Sequence, residues 1–439
     1  MTMRPHDQKI ERIAEQLKKR KKSNPVSLRK KTVSHEVPKP GDKRRQDEKI
    51  DISDLDAILE IDPVDRVCIA EPGVTFVDLV KATLKYGLVP FTVPELKTIT
   101  IGGAVAGCSI ESMSYKYGGF HDSCMEYEII TAEGEILHCT PKNKNQLIFE
   151  MVHGTFGTLG IISQLTFKLT PAEPFVRVKY EKYSNMKDYQ KAIWGHFKKQ
   201  DVDFMDGIIH SPQEYVLSLA YFTNQAPYTN NYNWTKVYFQ STATRQEDFL
   251  KTPDYFFRYD KGLTHVRPKS FLGRLLFRKF QSSTASLQFA QKFHRWIPPK
   301  AIPFTLDTFI PFSRSSDFLK WYEKKIGHFP LWCVPYKTRH YQWVAQDYFN
   351  EAQEPLFLDI AIYGLKKRNG THYHEIIEDE LLKIGGLETL IAGNYYREED
   401  FWKIWNKDNY DRVKKHTDPN NIFRDLYTKT RKTMLGLEK

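Results

Sequence analysis

Thr98-Ile99-Thr100-Ile101-Gly102-Gly103-Ala104-Val105-Ala106-Gly107-Cys108-Ser109-Ile110-Glu111-Ser112 differs in texture from the chain around it: small, glycine-rich and nearly uncharged. Main-chain N–H groups reach a diphosphate closely only where side chains are short or absent. Gly102, Gly103, Ala104, Ala106, Gly107 and Ser109 supply that freedom, and Thr100, Ser109 and Ser112 add hydroxyls. A glycine-rich turn between core strands has the same composition, so on composition alone the ligand and packing readings weigh equally. No Gly-Lys-Ser/Thr follows, which excludes a P-loop, and Gly-Gly-Ala-Val-Ala-Gly lacks the Rossmann spacing. The stretch reads as a nucleotide cradle of another kind.

Upstream, Val67–Glu71 reads as a strand closed by Pro72-Gly73. Thr75 with Asp78 then forms a capping-box pattern ahead of a helix with Phe76, Leu79, Val80, Thr83 and Leu84 on one face, stopped by Gly87. Strand, turn and helix make an α/β layer unit. Downstream, Tyr127–His138 reads as a hairpin turning at Glu133-Gly134. Gly154-Thr155-Phe156-Gly157-Thr158-Leu159-Gly160-Ile161-Ile162 is a second glycine-rich turn feeding a strand, predicted to meet an adenine edge with Ile161 packed on its face. Pro171 and Pro174 mark a boundary. Beyond it, Phe204–Ile209, Val216–Tyr221 and Phe357–Tyr363 read as strands among aromatic-rich helices and loops. At the N-terminus, Ile10, Ile13, Ala14 and Leu17 share one face of a helix broken at Asn24-Pro25. Val26–Arg29 is a short strand, and residues 30–49 read as an exposed excursion.

Aromatic residues make up 14% of the 439, enough to line a pocket for a planar ligand or simply to fill β-rich cores. Five scattered cysteines without a CxxC pair argue against a disulfide framework and a zinc site. No secretory signal or bilayer-spanning apolar window is visible, so the expected compartment is the cytoplasm, including the cytosolic face of a membrane. The net charge of +11 concentrates in the first fifty residues. That arm could attract an anionic membrane surface, with the apolar face of the helix turned down onto it. No nucleic-acid partner is expected, because no recognition motif accompanies the charge.

The run from Val93-Pro94-Glu95-Leu96-Lys97-Thr98 through Gly157-Thr158-Leu159-Gly160-Ile161-Ile162 resembles the FAD-binding domain of the vanillyl-alcohol-oxidase (PCMH-type) flavoproteins. Ile110-Glu111-Ser112, Lys116-Tyr117-Gly118, Trp296–Lys300, His328–Pro335, Leu358-Asp359-Ile360, Tyr363-Gly364 and Tyr396–Trp402 are similar to the Δ24-sterol reductase (24-dehydrocholesterol reductase) branch. The resemblance implies an α+β fold: a two-subdomain FAD-binding domain over 50–172 behind a basic arm (1–49), an α+β cap domain over 173–393, and a helical segment (394–439) returning to the FAD domain. It assigns Pro94, Glu95, Thr98, Thr100, Ile101, Gly102, Gly103 and Gly107 to the diphosphate loop. Ser109, Glu111, Ser112, Lys116, Tyr117 and Gly118 would lie along the ribityl chain and flavin, and Gly157, Thr158, Gly160, Ile161 and Ile162 at the adenine end. Members that tether FAD covalently use a His or Cys in a glycine-rich loop. Lys22–Arg29 has neither glycine nor His, nor the branch's Gly-Arg-Pro-Gly turn, so non-covalent FAD is expected.

The implied activity is reduction of a carbon–carbon double bond in a small hydrophobic, sterol-like or isoprenoid substrate, with NADPH as electron donor. An unactivated alkene needs an acid as well as a hydride. The candidates are Glu111, His121 and Tyr395, in that order, and Asp359 is read as structural. Three other readings compete: an FAD oxidase of a sugar, alditol or lactone using O2, a non-catalytic flavin-domain descendant, and a nucleic-acid binder.

Overall fold

The computed structural model describes residues 5–20, 24–32, 41–232, 237–260, 304–345, 347–348, 353–366 and 370–438, with residues 284, 288, 289 and 292. The Trp296–Lys300 motif and Lys22-Ser23 lie outside the described residues. Strands are numbered in chain order: β1 (Val26–Arg29), β2 (Glu48–Asp51), β3 (Ile58–Asp62), β4 (Val67–Ala70), β5 (Leu88–Pro90), β6 (Cys124–Ile130), β7 (Ile136–Cys139), β8 (Ile161–Pro171), β9 (Phe175–Tyr183), β10 (Phe204–Ser211), β11 (Glu214–Thr223), β12 (Glu247–Lys251), β13 (Thr305–Pro311), β14 (Leu331–Lys337), β15 (Leu356–Tyr363) and β16 (Leu387–Glu388).

They form three sheets. β1 and β2 pair in parallel, β3-β4-β8-β6-β7 form an antiparallel sheet with β5 added to β8, and β12-β9-β11-β10-β14-β15-β13-β16 form an eight-stranded sheet. The chain passes from the second sheet to the third between Pro171 and Phe175, where the two prolines stand. The capping pattern at Thr75 holds: its side chain accepts from Asp78 N at 3.2 Å and starts the helix Phe76–Thr83. β6 and β7 pair through the Glu133-Gly134 turn, where Gly134 takes φ +75°; only glycine adopts that region at no steric cost.

The eight-stranded sheet has two faces of different character. Leu306, Ile310, Leu358, Ile360 and Ile362 project to one side, into a core shared with Leu319, Tyr322, Ile377 and Leu381 of the helices Ser315–Lys325 and Tyr373–Ile384. Phe309, Trp332, Val334, Tyr336, Phe357 and Ala361 project to the other side and share a core with the six-stranded sheet and the helices around it. Alternation along each strand therefore aims one row of side chains at the first layer.

The N-terminal segment departs from the exposed arm expected of it. Ile10, Ile13, Ala14 and Leu17 of the helix Pro5–Lys19 are buried with Val26, Ile50, Leu55, Ile130, Ile161, Ile422 and Phe423. The apolar face that could have rested on a membrane is used inside the protein, and Asp42 and Asp47 within the supposed excursion are buried as well. The far end of the chain closes this corner. Ile422 O accepts from Val26 N at 3.0 Å, Thr417 O from Ala132 N at 2.8 Å, and Arg424 clamps Asp47 through two nitrogens at 2.6 and 2.8 Å. Among the described residues no helix is long and apolar enough to cross a membrane.

His6 fastens the helix. Its Nδ1 lies 2.8 Å from Glu71 and its Nε2 3.2 Å from Glu128, while Lys9 donates to Glu71 at 2.8 Å. Burial acts to lower the His6 pKa, but the bonds and charges of Glu128 and Glu71 outweigh it and raise it to about 9. A group whose pKa is raised on folding stabilises fully below its unfolded value and loses that contribution as pH rises through the folded one. The contribution is on the order of 3 kcal/mol. Thermal melts should show stability falling between about pH 7 and pH 10. His6→Gln should lower the melting temperature at pH 6 and flatten that fall; an unchanged slope would remove His6 from this role.

Candidate FAD and substrate cleft

The Thr98–Ser112 stretch is not the open loop its glycines suggest. Residues Ile101–Ala106 form a short helix, capped by Thr100, whose hydroxyl accepts from Gly103 N at 3.2 Å. The helix docks on the turn after β4: Ile101 N donates to Val74 O at 3.0 Å and Gly102 N to Pro72 O at 2.9 Å. A Cβ on Gly102 would stand 2.5 Å from the Pro72 side chain. This glycine serves packing, whereas Gly103 is exposed and Gly107 partly accessible.

The second glycine-rich turn docks on the end of this helix. Gly154 N donates to Val105 O at 3.2 Å and Phe156 N to Ala106 O at 3.0 Å. Gly154, Phe156, Gly157 and Gly160 all take positive φ, which tightens the turn enough for that pairing. The two stretches singled out in the sequence thus form one wall. Gly107, Cys108, Gly154 and Phe156 line a cleft with Phe309, Tyr336, Phe357 and Trp405 opposite.

The structure distributes the predicted residues unevenly. Thr98 Oγ1 is buried and has no hydrogen-bond partner among the described residues. Pro94 and Ile101 are buried, while Glu95 keeps accessible surface. Burial, then Glu111, Asp307 and Asp260, push Glu95 up to about 8. Ser109 O accepts from Phe120 N at 3.0 Å. The Lys116 amine lies over the Tyr117 ring, which stacks on Phe91 at 4.3 Å. Gly118 takes φ +82° and its carbonyl accepts from Thr92. Thr158 is buried and donates to Thr155 O at 2.7 Å. Ile161 packs into the core around the N-terminal helix instead of facing a ligand, and Ile162 is partly buried against the main core.

The three acid candidates separate clearly. Both Glu111 and Ser112 are buried, and Ser112 donates its N–H and hydroxyl to one Glu111 oxygen. Arg258 stands 3.2 Å from the other oxygen and 3.1 Å from Asp206, so two carboxylates share one guanidinium. Tyr259 and Trp332 also donate to Asp206, at 2.5 and 3.0 Å, and Tyr255 lies 4.0 Å under the guanidinium. Burial raises the Glu111 pKa, Arg258 pulls it back, and Asp206 raises it again. His121 is buried, with neither ring nitrogen hydrogen-bonded among the described residues, and burial lowers its pKa. It is therefore a neutral base, unsuited to donate a proton at neutral pH. Tyr395 stacks on His374 of the covering helix at 4.7 Å, and its N–H donates to Glu378 of that helix.

Sequence reasoning missed the cations. Lys429 donates to Phe156 O at 2.6 Å and Lys414 to Thr158 O at 2.7 Å, so both meet carbonyls of the second turn. Lys414 is paired with Asp418 and Arg424 with Asp47; no such carboxylate pairs with Lys429 or Lys30 among the described residues. Burial, with the charges of Lys30, Arg44, Lys414 and Arg424, lowers Lys429 to about 7. Lys429 is partly accessible to solvent and Lys30 is exposed. Uncompensated cations beside a glycine turn fit the diphosphate of a dinucleotide. FAD meets this test. Among the described residues no group of His, Cys, Asp and Glu could hold a metal ion, and all five cysteines are free thiols.

A family profile described as "FAD binding domain" matches residues 10–140. The human Delta(24)-sterol reductase is 24% identical over 398 residues, covering 85% of this chain and 75% of its own. The Caenorhabditis elegans Delta(24)-sterol reductase homolog is 23% identical over 97% of this chain and 87% of its own, and the Arabidopsis thaliana Delta(24)-sterol reductase 23% over 97% and 85%. The FAD-binding domain match covers residues 98–112 of this wall, and the chain that carries it is a homologue of the Delta(24)-sterol reductases of animals and plants.

Proposed function

We propose that this oxidoreductase uses non-covalent FAD to reduce a carbon–carbon double bond in the side chain of a sterol-like or isoprenoid lipid, with NADPH as electron donor. The observation that carries the reading is the cleft itself. Its floor is the hydrogen-bonded glycine wall, and Phe309, Tyr336, Phe357 and Trp405 make its far side apolar and aromatic. Such a wall suits a flat, hydrophobic substrate. Its place beside a flavin cradle, in a chain aligned with Delta(24)-sterol reductases over most of its length, supports the substrate class.

When bound, FAD supplies two-electron hydride chemistry. Lys429 and Lys30 hold its anionic part, with Lys429 anchored on Phe156 O so that its charge stays at the turn. Thr98, whose hydroxyl has no partner among the described residues, gives a further polar contact. The aromatic wall excludes water from the reacting carbons and positions the substrate against the cradle. The sterol-like substrate is the protein's small-molecule partner.

The purified protein should show a flavin absorption band that moves wholly to the supernatant on acid precipitation, and NADPH should bleach it without air. A Δ24-unsaturated sterol should then restore the band and emerge saturated, as mass spectrometry would detect. A colourless protein that does not take up FAD would overturn the flavoenzyme reading, and steady H2O2 release on alditols would replace it with the oxidase.

Lys429 gives a separate test. With its pKa near 7 in the FAD-free protein, FAD binding should take up a proton, and affinity should weaken as pH rises from 7 to 9. Lys429→Met should weaken FAD binding about 10- to 100-fold at pH 7 and abolish that pH dependence, as calorimetry in two buffers would read. Equal affinity in the variant would remove Lys429 from the site.

A further inference from the structure

Alkene reduction needs a neutral acid beside the apolar cleft, and the three candidates read from the sequence do not offer one cleanly. Glu111 is tied to Arg258, His121 is a neutral base, and Tyr395 is stacked on His374 of the covering helix.

The inner face of the eight-stranded sheet carries acids of its own. Alternation places Asp359 between Phe357 and Ala361 on the face turned to the first layer, since Leu358 and Ile360 fill the opposite core. Across the ladder it pairs with Phe309 on β13 and Val334 on β14. Phe309 and Phe357, its nearest neighbours on that face, line the cleft. Asp307 lies diagonally from it, opposite Ala361. By the same register Asp206 stands on this face two strands away, opposite Val334.

The two acid positions differ in what surrounds them. Asp206 shares the Arg258 guanidinium with Glu111. Asp359 is 2% exposed, its Oδ1 has no hydrogen-bond partner, and no Lys, Arg or His pairs with it among the described residues. Its charged neighbours are Asp307 and Glu95, both acidic. An uncompensated carboxylate is not sustained there, and the carboxyl takes up a proton instead. Burial first, then Asp307 and Glu95, push its pKa well above the usual carboxylate range, and a backbone hydrogen bond from Thr308 offsets part of this.

We infer that Asp359 is the acid that delivers the proton in this reduction, from the inner face of the eight-stranded sheet onto an alkene lying against Phe309 and Phe357. The inference rests on the double-bond reduction proposed above. The carboxyl O–H bond breaks as a C–H bond forms at one alkene carbon. A hydride, with a dihydroflavin as the two-electron reductant, forms the C–H bond at the other. The alkene gains two electrons, the flavin is oxidised, and the Asp359 carboxylate is reprotonated from water. Asp307 is a positioning residue here, itself held by Tyr363, which donates to it at 2.5 Å.

Asp359→Asn in the FAD-loaded full chain tests this, with flavin content, melting temperature and NADPH bleaching expected to match the wild type. Reoxidation of the reduced variant by the Δ24-unsaturated sterol should slow about 10²- to 10⁴-fold. Asp359→Glu, which keeps the acid, should recover part of that rate and serves if the Asn variant does not fold. Independently of turnover, infrared difference spectra at pH 7 should show a protonated-carboxyl C=O stretch that the Asn variant lacks. Wild-type reoxidation by Asp359→Asn, or the absence of any carboxyl band that is lost in it, would overturn the assignment. A wild type that is bleached by NADPH but not reoxidised by any alkene would instead sink the double-bond reading and the donor role with it.

Discussion

The architecture of the cleft depends on two backbone hydrogen bonds, Gly154 N to Val105 O and Phe156 N to Ala106 O. They join the end of a short helix to a turn built from left-handed residues, and so convert two separate glycine-rich stretches into one surface. The pairing requires the helix to sit low on the strand that precedes it, which Gly102 permits by leaving room for Pro72. It also requires the turn to curl within four residues, which Gly154 and Gly157 permit. Small side chains at these positions serve main-chain contact first; the ligand surface that remains is what this packing leaves open.

Facing this wall, the large sheet divides its charges. Glu111 and Asp206 meet around one guanidinium with aromatic rings on several sides, an arrangement in which both carboxylates face a cation. Among the described residues, Asp359, Asp307 and Glu95 pair with no cation, and Lys429 and Lys30 with no carboxylate. Buried groups left uncompensated are costly to maintain, so they persist where a ligand or a transferred proton completes them.

Local patterns in the sequence were legible where the cause was local. Thr75 with Asp78, the Glu133-Gly134 turn and the Ile10, Ile13, Ala14 and Leu17 face all appear as read, because caps, hairpins and amphipathic helices are decided within a few residues. The role of that amphipathic face was not legible: its partners include Ile422 and Phe423, from the far end of the chain. Gly102 was taken for a ligand contact because nothing nearby points to Pro72 as its neighbour. Ile161 was given to the adenine, whereas the register of β8 turns it into the core. Arg258 escaped notice altogether; its link to Glu111 and Asp206 exists only after two sheets have been laid together. Asp359 read as structural because a lone acid in an apolar strand has no visible environment until its neighbours are known.

The clasp between Arg424 and Asp47, with Val26 held by Ile422, bears on how the protein is made. The first strand and the helix beside it complete their contacts only once residues 417–424 have been synthesised, so a late closure step is built into biogenesis. Until then Ile10, Ile13, Ala14 and Leu17 can pack on Ile50, Leu55, Ile130 and Ile161 but not on Ile422 and Phe423, which leaves this corner of the nascent chain partly open.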